Sequence, residues 1–113
     1  RVLFRSRPNE EQVQAWKSQY GDVYELTGET EDGSQTYYFV FRKPGRAALS
    51  RFAKQVMSDA LKAMHNLVFD CLLFPDQDEV CKLFEEKPGM AISVGSELQK
   101  IVGTNQDFFV KRL

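Results

Sequence analysis

The feature that most constrains the fold is an unbroken apolar run at Tyr37–Phe41, followed by the charged pair Arg42 and Lys43 and then by Pro44. Aromatic and β-branched residues favour strands, and successive side chains of a strand point to opposite faces. The run therefore predicts a strand that is apolar on both faces. One face can cover the domain's own core, and the other needs a second layer or a partner chain.

A second strand precedes this run. Residues 22–27 alternate in polarity, with Tyr24 and Leu26 on one face. The segment Glu31–Ser34 has the composition of a hairpin turn, because Asp-Gly tolerates the positive backbone angles that hairpins need. We therefore predict a β-hairpin over residues 22–43. Because an isolated hairpin is only marginally stable in water, the rest of the chain must supply a surface on which it packs.

Helical periodicity occurs on both sides of the hairpin. Asn9 with Gln12, and Asp76 with Glu79, form capping-box patterns at two of the helix starts. Pro75 ends the longest apolar stripe. The predicted helical stripes are Val13–Tyr20, Leu49–Met57, Leu61–Leu72, Val80–Phe84 and Ala91–Val102.

The order of helix, hairpin and then three or four amphipathic helices predicts an α+β fold, in which these later helices pack on one face of a small antiparallel sheet. With 113 residues the chain fits one domain. We place this domain at residues 7–103 and assign residues 104–113 to a C-terminal tail. Residues 1–6 lack an initiator Met and correspond to one reading frame of a common sequencing-adapter oligonucleotide. We expect them to be a non-native leader from a metagenomic library.

Composition narrows the class of partner. The chain is 42% hydrophobic and 27% charged, which is typical of globular domains, and its net charge is -1. A protein that binds duplex nucleic acid normally carries a basic excess, so this partner is not expected. The longest apolar runs, which flank Asp70, are far too short to cross a membrane.

The residues that could carry chemistry do not form a catalytic pattern. His65 is the only histidine, and no nucleophile or carboxylate is placed by the sequence to form a relay with it. We expect Cys71 and Cys81 to be small buried residues, with a disulfide or a metal site as the alternatives. The clustered carboxylates are typical of solvated helix ends. The sequence therefore predicts a protein that is not an enzyme and has no cofactor, metal site or catalytic residue.

Two alternatives remain open for the aromatic and basic segment at residues 37–46. Strand aromatics beside a basic groove are typical of domains that bind single-stranded nucleic acid. Lys43–Arg46 also leads into a helix N-terminus, where unpaired backbone N–H groups can hold an anion. The simpler interpretation of Lys43–Arg46 is a turn from strand to helix, in which Pro ends the strand and Gly reverses the chain.

The chain has a surplus of apolar side chains for one small domain, and this favours a protein-binding function. An open strand edge can add a further strand from a partner. Trp16 fits either a core position or a partner anchor. The predicted core residues are Trp16, Phe39, Phe41, Phe52 and Leu98. The predicted partner-facing residues are Tyr38, Val40, Phe108, Phe109 and Val110.

A series of short motifs extends over residues 8–103 in a fixed order. They are Trp16-Lys17, Tyr20–Leu26, Tyr38-Phe39, Phe41–Pro44, Arg46, Leu49–Phe52, Asn66, Asp70-Cys71, Pro75-Asp76, Pro88-Gly89 and Gly103. In order and spacing this series resembles small phage tail proteins of the tail assembly chaperone type.

That resemblance implies a cytoplasmic protein, made during infection, that binds the tape-measure protein while the tail tube assembles. It implies no cofactor and no catalytic residue, and it leaves the oligomeric state undetermined. Another structural or accessory protein of a phage is the alternative. The segment Asp107–Leu113 has no counterpart in the resemblance.

Overall fold

The structure is a computed structural model that describes residues 7–30, 33–34, 36–103 and 108–113. Its elements are α1 (Glu10–Tyr20), β1 (Val23–Glu29), β2 (Thr36–Arg42), α2 (Arg46–Gln55), α3 (Ala60–Cys71), β3 (Leu72–Phe74), α4 (Gln77–Glu86) and α5 (Gly89–Ile101). The predicted α+β fold is confirmed. The predicted leader at residues 1–6 lies outside the described residues, as does the stretch 104–107 of the predicted tail.

The sheet has the strand order β1-β2-β3, and both pairings are antiparallel. Residues opposite each other in an antiparallel pair share one face of the sheet. Leu26 lies opposite Phe39 on one face, whereas Glu25 lies opposite Val40 on the other. The predicted hairpin is therefore confirmed, and its central strand β2 is apolar on both faces.

The domain's core lies on the face of β2 that carries alternate aromatic residues. Tyr37, Phe39 and Phe41 are 8%, 3% and 1% exposed, and neighbouring rings lie 6.5 and 6.1 Å apart between centroids. Apolar side chains from the four later helices cover this row. The helical members of the core are Ala48, Leu67, Val68, Cys71, Val80, Leu83, Phe84, Ala91, Val94 and Leu98.

The third strand corrects the sequence prediction, which continued a helical stripe through Leu72. Helix α3 ends at Cys71, and Leu72–Phe74 pairs with β2 instead. The residue before a proline is disfavoured in the α conformation, and Pro75 imposes this on Phe74. A short apolar run also fits a strand as well as a helix by periodicity alone. Pro75 is therefore the sequence feature that indicated a strand at Leu72–Phe74.

Helix α1 lies on the second face of the sheet. The Trp16 ring is 6.4 Å from the Phe74 ring between centroids, and Val13 lies over the part of the sheet that includes Val40. A shift in register between β2 and β3 makes this possible, because Leu72 faces the core while Phe74 faces α1. Trp16 is only half-buried, so α1 covers this face partly.

Local capping explains several of the helix boundaries. The Asn9 side chain accepts a hydrogen bond of 2.7 Å from the Gln12 backbone N–H and so begins α1. Gly21 ends it with a positive φ of 82°, a conformation that favours glycine. Asp59 accepts the corresponding bond from Lys62 at the start of α3. Asp76 stands at the N-cap of α4, but its side chain makes no capping bond, so the capping box predicted there does not form.

Helices α3 and α5 approach closely at Gly95. A Cβ atom added at Gly95 would lie 2.5 Å from the Met64 sulfur and 3.4 Å from the Met64 Cβ. Ala63 in α3 and Ala91 in α5 are also small and fully buried. Small residues therefore allow α3 and α5 to pack closely.

The burial of β2 gives a first prediction. We expect Phe39→Ala to lower the free energy of unfolding by about 3–5 kcal/mol, because it leaves a large cavity in the core. Phe52→Ala should cost less, since Phe52 is only half-buried. Met57→Ala is the control, because Met57 is 92% exposed and should change stability by about 0.5 kcal/mol or less. Denaturant unfolding measures all three, and equal stability of the Phe39 and Met57 variants would contradict the core described above.

The close helix crossing gives a second prediction. We expect Gly95→Val to cost about 1–3 kcal/mol of unfolding free energy, because the new side chain must displace Met64. Gly89→Ala in the same helix is the matched control, since no atom lies within 4 Å of an added Cβ there. Thermal unfolding of both variants should separate them, and a Gly95 variant as stable as the control would argue against a tight crossing.

Candidate protein-binding surface

The most exposed apolar residues of the described chain lie in the C-terminal tail, Phe108–Leu113. Phe108, Phe109 and Val110 are 86%, 94% and 100% exposed, and Leu113 is fully exposed. The tail has no helix or strand assignment. Large apolar side chains are normally withdrawn from water, and a contiguous exposed group of them marks an interaction site. The three tail residues predicted to face a partner are therefore accessible to one.

The two strand residues of the predicted partner surface differ in accessibility. Tyr38 is half-buried, and the Arg7 guanidinium lies 5.4 Å from its ring centroid. Arg7 also donates two hydrogen bonds to Glu25, at 2.7 and 3.2 Å, and this carboxylate raises the pKa of Arg7 above its ordinary value. Val40 is 3% exposed. The prediction that Val40 faces a partner is therefore wrong for this chain, because α1 and Phe74 cover that part of the sheet.

A groove lies between the hairpin and α5, and we call it the hairpin groove. Its volume is about 480 Å³, within the range of pockets that bind ligands. One wall consists of residues from β1 and β2, and the other of residues from α5 and the segment before it. The lining residues are Leu26–Thr30, Tyr37, Phe39, Lys87, Gly89, Met90, Ser93, Val94 and Glu97.

Sequence reasoning missed this groove because its walls are far apart in the chain. Leu26 and Met90 lie on opposite walls and are separated by more than half of the sequence. The predicted helix at Ala91–Val102 indicated an apolar face, but periodicity does not tell which part of such a face lies against the sheet. Only the position of α5 beside the hairpin leaves Met90 and Ser93 at an opening.

Strand β1 is a second candidate contact surface for a partner, because it is an edge strand. It stands at one end of the strand order, so the sheet as described leaves one of its two edges without a neighbouring strand. The same strand contributes Leu26–Glu29 to the hairpin groove. Unpaired backbone groups along such an edge can pair with an added strand. This region therefore offers a partner both apolar side-chain contacts in the hairpin groove and backbone hydrogen bonds along β1.

The residues considered for chemistry occupy structural positions. His65 is half-buried, with its ring 6.1 Å from Phe69 and 5.3 Å from Phe84 between centroids. In the described part of the chain, no group of three His, Cys, Asp or Glu side chains lies close enough together to hold a metal ion. None of the described helices combines the length and the apolarity that crossing a lipid bilayer requires.

The aromatic and basic segment is divided between the core and the surface. Tyr37, Phe39 and Phe41 are buried, so bases cannot stack on them without opening the core. The following turn buries Pro44, and Gly45 stands at the N-cap of α2 with no side-chain capping bond. The strand-to-helix turn is therefore the observed role of Lys43–Arg46.

The two cysteines differ, which corrects the expectation that both are buried. Both are free thiols, and Cys71 is buried whereas Cys81 is exposed on α4. Burial raises the pKa of the Cys71 thiol to about 11, and nearby Arg42 opposes this shift only in part. Because the thiolate is the reactive form, Cys71 is expected to be inert at neutral pH.

Comparison with known proteins places this fold in a family. The family described as "Domain of unknown function (DUF6848)" matches residues 16–111. The chain belongs to the DUF6848 family. The match includes Phe108–Val110, so this part of the tail lies inside the shared domain. The curated proteins include no match to this DUF6848 chain.

A solved structure has the same fold. It is that of the uncharacterised protein RBSTP2171 from Bacillus stearothermophilus, with a TM-score of 0.74 and 32% sequence identity. The alignment covers 88% of the DUF6848 chain and 99% of the other chain. Neither comparison attaches a biochemical activity to the fold.

The difference between the cysteines gives a third prediction. Near pH 8, about the pKa of an ordinary thiol, iodoacetamide should modify Cys81 rapidly and Cys71 slowly. Intact mass should therefore show one added group on the native protein and two on the unfolded protein. In the Cys81→Ser variant the native protein should stay unmodified over the same time. Rapid double labelling of the native wild-type protein would contradict the burial of Cys71.

Proposed function

We propose that this protein is a non-enzymatic protein-binding module, a phage tail assembly chaperone that keeps the tape-measure protein soluble during tail assembly. It would act in the host cell cytoplasm during infection. The observation that carries the proposal is the exposed apolar tail, in which Phe108, Phe109 and Val110 are almost completely accessible. A chaperone needs accessible apolar surface of this kind, because its client is prone to aggregate through its own apolar surface.

The rest of the molecule supports a binding role over a catalytic one. The buried side chains of the described residues are apolar, and no buried polar or charged group is found among them. General acid-base catalysis requires titratable groups in environments that shift their pKa values towards neutral pH. The buried Cys71 shows a shift in the opposite sense, because its pKa is raised away from neutrality.

Tyr38 supplies the second part of the proposed client surface. Its ring lies on the α1 face, which α1 covers only partly, and it is held from one side by Arg7. A half-exposed tyrosine next to an arginine has the composition of an interface hot spot. The open edge of β1 adds a site where an extended client segment can pair with the sheet.

The proposal gives a fourth prediction, for which the gene neighbourhood identifies the client. A long tape-measure gene should lie just downstream and a tail-tube gene just upstream. Co-expression of the full chain with the long protein should yield a soluble complex. Phe108→Ser combined with Phe109→Ser should weaken binding of the client at least about thirtyfold, since losing a hot-spot aromatic typically costs at least about 2 kcal/mol.

Met57→Ser is the matched control for this experiment. Met57 is as exposed as the tail phenylalanines, but it lies in the turn between α2 and α3. Its variant should recover the client as the parent does. An ordinary chromosomal context, together with failure to co-purify, would overturn the chaperone proposal.

A further inference from the structure

Helix α1 is attached to the domain differently from the other helices. Each of α2, α3, α4 and α5 contributes at least one buried residue, whereas α1 contributes none. Among the described residues, the hydrophobic core likewise contains no member of α1. We propose that residues 7–20, which we call the strap, detach as a unit while the rest of the domain stays folded, and so uncover one face of the sheet. This inference does not rest on the chaperone function, because it concerns the chain alone.

Two side chains of α1 are partly buried. They are Val13 and Trp16, and the other residues of the helix are exposed. The Trp16 ring lies 6.4 Å from the Phe74 ring between centroids, and Val13 lines the same cleft as Val40. Stabilisation by burial is roughly proportional to the apolar area removed from water. Two partly covered side chains therefore stabilise α1 less than complete burial stabilises the later helices.

The polar contacts between the strap and the sheet are exposed to solvent. Arg7 pairs with Glu25 at 2.7 Å, and the two side chains are 64% and 34% exposed. The Arg7 guanidinium also lies 5.4 Å from the centroid of the Tyr38 ring. Solvent and salt screen exposed ion pairs, which therefore add little stability. These contacts orient the strap on the sheet without attaching it strongly.

An open cleft separates part of the strap from the sheet. Its volume is about 520 Å³. Its lining residues include Pro8 and Lys17 on the strap, and Val23 and Val40 on the two strands of the hairpin. Protein interiors are close-packed, with few voids larger than a water molecule. The strap is therefore packed on this face less completely than the later helices are packed on the core face.

The strap can leave without disturbing the sheet. Helix α1 has 11 residues, and isolated helices shorter than about 12–15 residues are marginal in water, so it depends on its contacts with the sheet. Its connection to β1 consists of Gly21 and Asp22, which are both exposed. The strand pairing begins at Val23, so detachment breaks none of its hydrogen bonds.

Detachment uncovers an apolar face of the sheet. Val40 is 3% exposed on this face and lies opposite Phe74 in the strand pairing, with the half-buried Tyr38 on the same face. The core face of the same strand keeps its contacts, because the later helices cover it. The strap therefore controls access to one face of β2, while the other face holds the domain together.

Thiol labelling of the full chain with the substitution Val40→Cys measures this opening. The variant carries thiols in three environments, because Cys81 is exposed, position 40 lies beneath the strap and Cys71 lies in the core. We expect iodoacetamide to modify Cys81 first. Position 40 should follow, at least about a hundredfold faster than Cys71, because local opening requires less free energy than global unfolding. Peptide mass spectrometry identifies the modified thiol at each time.

Denaturant and a core substitution separate local opening from global unfolding. Low urea concentrations should leave the rate at position 40 nearly constant and accelerate Cys71 steeply, since the denaturant effect scales with the surface exposed. Leu83→Ala truncates a buried residue of α4. Added to the variant, it should accelerate Cys71 at least about thirtyfold. Position 40 should stay within about threefold of its former rate, because the two sites are independent.

A substitution within α1 tests the attachment itself. Trp16→Ala should accelerate labelling at position 40 at least about tenfold, because it removes the largest partly buried side chain of the strap. Gln14→Ala is the matched control, since Gln14 is an exposed residue of the same helix. It should change the rate by less than about threefold, as surface substitutions do. Circular dichroism melts check that each variant is folded.

Equal rates at position 40 and Cys71 would overturn the proposal, because the strap would then open only with the whole domain. A rate at position 40 equal to that of Cys81 would overturn it as well, because α1 would then not cover this face. Hydrogen exchange of the parent protein provides a measurement without substitutions. The backbone amides of α1 should exchange at least about a hundredfold faster than those of α3, and equal protection of the two helices would contradict a detachable strap.

Discussion

The row of aromatic rings on the core face of β2 is the contact on which the rest of the structure depends. Tyr37, Phe39 and Phe41 are buried, and the centroids of neighbouring rings lie 6.5 and 6.1 Å apart. The four later helices, α2 to α5, place apolar side chains against this row. Burial of apolar area is the dominant favourable contribution to folding, and this row holds the largest buried side chains of the sheet. Without it the hairpin and the helices would have no common surface.

The opposite face of β2 sets the second constraint. Because successive strand residues alternate, the same apolar run that builds the core also places Tyr38 and Val40 on the other face of the sheet. Among the described residues, this face is covered by α1, a helix of modest apolar content, and by Phe74 of β3. Val40 is buried in this way, whereas Tyr38 remains accessible beneath Arg7.

The exposed tail and the hairpin groove differ in their relation to the core. The tail side chains lie outside it, whereas the groove is lined in part by the core residues Tyr37, Phe39 and Val94. The groove is bordered by residues of β1, whose outer edge has no neighbouring strand in the sheet as described.

The sequence by itself determined the α+β fold and the hairpin. These follow from local patterns, since the composition of Tyr37–Phe41 favours a strand wherever it lies, whereas the exposure of Phe108–Val110 came from the structure. Tertiary structure decided what local patterns do not encode. The pre-proline strand Leu72–Phe74 formed by pairing with β2, α1 buried Val40, and α5 left an opening beside Leu26. The physical reason is that burial depends on which distant elements meet, and a side chain's own sequence neighbours specify only the face on which it lies.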